Sequence, residues 1–175
     1  MKRWSSLLLD ANVIIELFKQ GIWDRVVAEC DIYAAETVVG EAHFFEDDAG
    51  VRHDFDLGAS IADGRIQQFS VAAASVKKFV ATFGLDYIEK LDAGEAESLA
   101  YLEHASDDHR ICSADAIVFR VLGNLDRGHQ GVSLQEVLGK LGLQRPLARQ
   151  FTKLARERWT AQGVTERLQG RGRKT

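Results

Sequence analysis

The chain has a single proline and only two cysteines in 175 residues, and these scarcities already remove several classes of protein. Cys30 and Cys112 lie 82 positions apart and form no CxxC pair, so neither a disulfide framework nor a zinc knuckle is indicated. A reducing cytoplasm is the simplest setting. Little proline, with 15 glycines in no periodic array, excludes collagen-like and low-complexity chains. No apolar run approaches the roughly 18 residues of a membrane-crossing helix. The opening stretch MKRWSSLLLDANVII is interrupted by Asp10 and Asn12 and lacks the small-residue cleavage site of a secretion signal. His43, His53, His104, His109 and His129 show no HxH or HExxH spacing, so they read as surface or loop residues rather than zinc ligands. GxGxxG and GxxxxGKS are both missing, and the terminal GRGRKT has no strand before it to build a phosphate-cradling loop.

What is present is an ordinary globular composition, 46% hydrophobic and 27% charged, at the length of about one domain. The net charge of −4 conceals a division. From Arg145 onward nine Lys and Arg face two acids, whereas residues 1–144 carry thirteen basic and twenty-four acidic residues. That division suggests a cation bound to the body and a polyanion bound to the C-terminal segment; a solvated helix with a frayed end is the plainer alternative. The chain accordingly divides into a body over 1–144 and a basic segment over 145–175, with no repeat and no linker between them.

Hydrophobic spacing gives alternating strands and helices. Ser5 to Leu9 reads as a strand ending at Asp10, and Asn12 stands where a helix N-cap would precede Val13, Ile14, Leu17 and Phe18. Ile32 to Ala35 reads as a second strand, followed by a helix carrying Val38, Val39, Glu41, Ala42 and Phe45. A polar, glycine-punctuated stretch from His53 to Gly64 leads to a strand over Arg65 to Ala72 and a helix over Ser75 to Phe83. Gly94 precedes a helix over Glu95 to Glu103, Arg110 to Ser113 reads as a strand, and Asp115 opens the next helix. Ser133 and Glu136 form a capping box for a helix through Leu141. Four or five βα units in series imply an α/β fold, with a mostly parallel sheet between two helical layers. Beyond Pro146 a basic helix is expected, and the last residues from Gly170 to Thr175 are expected to be disordered.

In such a sheet, ligands gather beyond the carboxyl ends of the strands, where residues distant in sequence can meet. Asp10, Glu41, Glu95 and Asp115 each have a route to that edge. Glu97 is turned about 200° from Glu95 on a helix, so the two share a site only if it lies over the helix N-terminus. Carboxylates gathered there would repel unless Mg²⁺ or Mn²⁺, which favour oxygen ligands, neutralised them. Paired metals about 3.5–4 Å apart activate water and stabilise the leaving oxygen of a phosphodiester. Taken singly, Glu41, Glu95 and Glu97 are each better read as solvated helix charges, and Asp10 as a cap or a ligand alike. The ordered set carries the chemical suggestion.

The segments LLLDANVIIE (7–16), TVVGEAHFF (37–45), LDAGEAESLAYL (91–102) and ICSADAIVFRVLG (111–123) resemble the motifs of PIN-domain nucleases, in the same order, over residues 5 to about 140. The GEAES segment is also similar to the paired-glutamate motif of the flap-endonuclease group. Ile117 stands where that group has a second aspartate, and the chain is too short for its helical arch, which favours the small ribonuclease type found in toxin and antitoxin pairs. The resemblance implies a three-layer α/β/α sandwich acting as a Mg²⁺- or Mn²⁺-dependent endoribonuclease by a two-metal mechanism. It assigns Asp10, Glu41, Glu95, Glu97 and Asp115 to metal binding and catalysis, with Asn12 and Ser113 as polar supports. Single-stranded RNA is the implied substrate, with an antitoxin or another protein as partner and a homodimer as one form.

Arg145, Arg149, Lys153 and Arg156 recur every three or four residues and suggest one cationic helix face that follows a nucleic-acid backbone. The same segment would suit an acidic protein partner. Trp4, Trp23 and Trp159 read as packing residues, although Trp159 could also stack on a base. Cys112 reads as a small core residue. Competing readings are a PIN-like binding module without catalysis and a nuclease directed at DNA.

Overall fold

The computed structural model describes residues 4–174. Trp4–Leu9 forms β1, and its Leu7, Leu8 and Leu9 are all buried because a central parallel strand is covered on both faces. There follow α1 (Ala11–Lys19), α2 (Trp23–Glu29), β2 (Cys30–Ala35), α3 (Glu36–Glu41), β3 (Phe44–Glu46), β4 (Arg52–Asp54), α4 (Gly58–Ala62), β5 (Ile66–Phe69), α5 (Ala73–Ala81) and α6 (Leu85–Ile88). The second half comprises α7 (Ala93–His104), β6 (Arg110–Cys112), α8 (Ala116–Asn124), β7 (Gly131–Val132), α9 (Leu134–Leu141) and α10 (Lys153–Leu168).

The main sheet runs β5-β2-β1-β6-β7 and is parallel throughout. Leu7 and Leu9 enter a core with Val13, Ile14, Leu17, Val26, Val137 and Leu138, from α1, α2 and α9. Leu8 points the other way, into a core with Phe79, Leu99, Leu102, Val118 and Val121, from α5, α7 and α8. The alternation of side chains along one strand thus builds both cores of an α/β/α sandwich. The chain moves outward from β1 through β2 to β5, then returns to place β6 on the other side of β1. That reversal opens a crevice at the carboxyl ends of β1 and β6. No helix among the described residues is long and apolar enough to cross a membrane.

Several local expectations give way to competing interactions. Asp10, not Asn12, caps α1, because its Oδ1 accepts from the Ala11 N–H at 2.7 Å. Gly94 lies inside the first turn of α7 rather than before it. Asp92 caps that helix and forms a reciprocal box with Glu95. Phe45 belongs to β3 and not to a helix: it pairs with His53 of antiparallel β4, and their rings stack with centroids 4.9 Å apart. The short helices α2 and α6 were not evident from spacing.

The C-terminal segment also differs from expectation. α10 lies across α8 at two glycines, where a Cβ on Gly163 would stand 2.0 Å from the Arg120 carbonyl oxygen and one on Gly123 2.1 Å from that of Thr160. Beside this crossing, buried Arg120 donates to Glu166 at 3.0 Å, and the Tyr87 hydroxyl donates to the same carboxylate. Residues 170–174 are ordered, not disordered. The Gly84 N–H donates to the Gly172 carbonyl at 2.9 Å, the Arg173 N–H to Asn124 Oδ1 at 2.9 Å, and the Arg173 guanidinium to Glu103 at 2.7 Å. Gly172 makes this fit possible, having φ +97° and no Cβ to strike the Asn124 amide. Thr175 lies outside the described residues.

The helix crossing predicts a sharp contrast between two glycines. Gly163→Ala should lower the unfolding free energy by about 3 kcal/mol in urea titrations, since backbone must move to admit the methyl group. Gly139→Ala, on the exposed face of α9 with nothing within 4 Å of the added Cβ, should be neutral or stabilising by up to about 1 kcal/mol.

Candidate metal centre

Asp10 follows the last residue of β1, and the sheet ladder continues through it, its N–H donating to the Cys112 carbonyl at 3.1 Å. That bond sets Asp10 beside the end of β6. Ser113, directly after β6, donates from Oγ to Asp10 Oδ2 at 2.8 Å and accepts from the Asp115 N–H at 3.0 Å. One hydroxyl therefore orients Asp10 and the turn bearing Asp115. Asn12, in the first turn of α1, donates from Nδ2 to Asp115 Oδ2 at 2.8 Å. Hydrogen bonds of this kind hold carboxylates in register for a cation.

Glu95 arrives from the other side, on the first turn of α7. Its Oε2 accepts from the Asp92 N–H at 3.0 Å, while Asp92 accepts from the Glu95 N–H at 2.7 Å. Asp10, Glu95 and Asp115 each present an oxygen within 4.8 Å of the others. Their positions are the beginnings of α1, α7 and α8, so three helix N-termini turn partial positive charge toward one acidic cluster. Among the described residues, none of the three carboxylates forms an ion pair with Lys, Arg or His.

Burial raises the proton affinity of Asp10 and Glu95. Desolvation pushes Asp10 up to about 7, with the Asp115 charge adding to the effect and the Ser113 hydrogen bond opposing it. Glu95 is pushed up to about 9, again chiefly by burial, opposed by its backbone bond from Asp92 and reinforced by the charges of Asp92, Asp115 and Asp10. Glu41 is also raised, by burial and by Asp92. Hard oxygen donors close together are a donor set compatible with a hard divalent cation.

The remaining sequence candidates separate. Glu41 ends α3 at the rim, reaching the first turn of α7: its Oε2 is 3.3 Å from where a Cβ on Gly94 would lie. Glu97 does not join the cluster. It turns to the opposite side of α7, where Oε2 accepts from the Thr37 N–H at 3.1 Å and hydroxyl at 2.6 Å, and Oε1 from the Val71 N–H at 2.9 Å. The two-residue step around the helix accounts for this, since only Glu95 faces β1 and β6. Glu97 ties α3 and the entry to α5 to α7. Asp92, which spacing did not single out, belongs to the acidic surroundings. Its signal was the Asp-x-x-Glu pattern of DAGE, the same capping logic as Ser133 and Glu136.

The four cations proposed for one helix face do not form one. Arg145 precedes the helix, Arg149 lies in a 3₁₀ turn (Arg149–Phe151), and only Lys153 and Arg156 are within α10. Arg156 donates to both oxygens of Glu136, at 2.8 and 2.9 Å, and so completes a bidentate pair with the body. Compared with known protein families, with curated proteins and with solved structures, the chain matches none.

The raised carboxylates fix the sign of a pH effect. Asp10 and Glu95 bind protons more tightly folded than unfolded, so their contribution to stability is largest below about pH 4. It falls as pH rises to about 7 for Asp10 and about 9 for Glu95. Thermal unfolding in chelator should show this decline, and Asp10→Asn should flatten its lower part. Millimolar Mn²⁺ should raise the unfolding temperature of the wild type more at pH 8 than at pH 6, because the bound protons must leave before the metal enters.

Proposed function

We propose that the protein is a Mg²⁺- or Mn²⁺-dependent endoribonuclease that hydrolyses phosphodiester bonds at the carboxyl ends of β1 and β6. The observation that carries this reading is the meeting of Asp10, Glu95 and Asp115 within 4.8 Å at three helix N-termini, the first two buried and Asp115 half-buried, without a cationic partner among the described residues. Its support in sequence is the ordered likeness of four motifs to PIN-domain nucleases, which also supplies the preference for RNA.

Asp10, Glu95 and Asp115 would hold the metal. When bound, such an ion lowers the pKa of a coordinated water and offsets charge on the phosphate oxygens. Ser113 keeps Asp10 oriented through its hydroxyl, and Asn12 does the same for Asp115. Glu41 and Asp92 extend the acidic rim, where repulsion would direct the phosphate away from the protein surface and onto the cation. The buried position of Asp10 and Glu95 keeps water from screening these interactions.

Cleavage of a labelled single-stranded RNA, run beside DNA of the same sequence, tests the reading. Asp10→Asn and Asp115→Asn should each lower Mn²⁺-dependent cleavage at least about 100-fold, and Asn12→Ala by about tenfold, as expected for loss of an orienting group. Full activity in the Asp10→Asn/Asp115→Asn double variant would refute the site. Faster cleavage of DNA than RNA would replace the substrate assignment and leave the site standing.

A further inference from the structure

Two clefts open along α10 and meet at one side chain. The first, of about 330 Å³, is lined by Asp115 of the acidic cluster together with Lys90, Gln162 and Trp159. The second, of about 680 Å³, is lined by Trp159, Arg158, Leu154 and Arg149. Trp159 thus lines both clefts, one holding a carboxylate of the candidate metal centre and the other two arginines. Its ring is half-buried against the second core, while Leu154, farther along, is 74% exposed. The Arg158 guanidinium lies 5.2 Å from the Trp159 ring centroid. Lys90, Arg149 and Arg158 form no ion pair among the described residues, in contrast to Arg156, Arg167, Arg171 and Arg173.

We propose that these two clefts together form the substrate groove, in which a single strand of nucleic acid stacks a base on Trp159 and sets its phosphates against Lys90, Arg149 and Arg158 on the way to Asp115. An aromatic surface flanked by unpaired cations is the combination that holds an unpaired strand without reading its sequence. An acidic peptide would use the cations but would gain little from the ring. The proposal rests on the nuclease reading for what happens at Asp115, but strand binding in the groove is measurable without metal.

The test is fluorescence anisotropy of a labelled ten-nucleotide RNA with the full chain in chelator. Trp159→Ala should weaken binding about tenfold and Trp159→Phe much less, because phenylalanine retains a stacking face. Each lost phosphate contact lowers the slope of log K against log salt by about 0.7, so Arg149→Gln with Arg158→Gln should reduce it by about 1.4. Lys77→Glu, on α5 and lining neither cleft, should bind as wild type does. RNA affinity indifferent to both the Trp159→Phe/Ala series and the arginine pair, in variants with wild-type unfolding temperatures, would overturn the groove. Displacement by polyglutamate with equal sensitivity in wild type and Trp159→Ala would do the same and point to a protein ligand. Groove-dependent binding without any Mn²⁺-dependent cleavage would uphold the groove and overturn the nuclease reading. Cleavage with binding indifferent to the groove variants would do the reverse.

Discussion

The pairing of β1 with β6 is the contact on which the rest of the molecule turns. It joins strands separated by about a hundred residues, with Leu7, Leu8 and Leu9 in register against Arg110, Ile111 and Cys112. The ladder runs one residue beyond β1 to the Asp10 N–H, so the geometry of the sheet becomes the geometry of a side chain. The same pairing places Leu8 beside Ile111 in one core and Leu9 beside Cys112 in the other. A disturbance at this seam would reach both helical layers and the Ser113 bridge at once. Burial also explains Cys112: its thiol is pushed well up by desolvation in the core, which suits an inert packing residue and not a nucleophile.

Such a seam creates a conflict that the fold does not resolve internally. A carboxylate as enclosed as Asp10 is destabilising when ionised, and the helix termini and Ser113 only partly offset the cost. Elsewhere the chain resolves the same problem in the ordinary way: Glu166 is enclosed but meets Arg120, Tyr87 and Gln162, and Glu136 meets Arg156 and Ser133. Glu97 is satisfied by three donors. The acids at the ends of β1 and β6 are different because, beyond a few neutral donors, the charged groups around them are other acids. Like charges held together at low dielectric raise proton affinity, as Asp10 and Glu95 show.

The parallel sheet is legible from local signals, the apolar runs and the alternation of strand with helix, which also bring Asp10, Glu95 and Asp115 to one edge even though the caps of α1 and α7 fall on Asp10 and Asp92. Ser133 and Glu136 show how well such a signal transfers, since the expected capping box is the one that forms. What was not legible depended on contacts between distant segments. Phe45 suits a helical spacing as well as a strand, and only the partner strand bearing His53 decides the matter. Glu95 and Glu97 are chemically alike in sequence; their separation follows from which face of α7 meets β1 and which meets Thr37 and Val71. The end of the chain looked disordered because Gly170 to Lys174 has no apolar residue to bury. It is held instead by backbone bonds to Gly84, Thr82 and Asn124, which composition does not reveal.

The division of charge has the same lesson in a larger form. A basic segment after an acidic body suggests two separate ligands, yet four of the nine cations from Arg145 onward pair with acids of that body: Arg156 with Glu136, Arg167 with Asp126, Arg171 with Asp86 and Arg173 with Glu103. Much of the asymmetry is therefore the imprint of α10 and the residues after it docking onto the body. Exposed pairs among these contribute little individually, and the glycine crossing with its buried Arg120–Glu166 bond carries the attachment. Once these internal partners are set aside, the positive charge that remains free is no longer a helical stripe. Among the described residues it is Arg145, Arg149, Arg158 and Lys174, of which Arg149 and Arg158 line the cleft that includes Trp159, the ring that shares a second cleft with Asp115 and Lys90. Docking of the C-terminal helix thus offsets part of the body's acidity and leaves Arg149 and Arg158 without acidic partners beside Trp159.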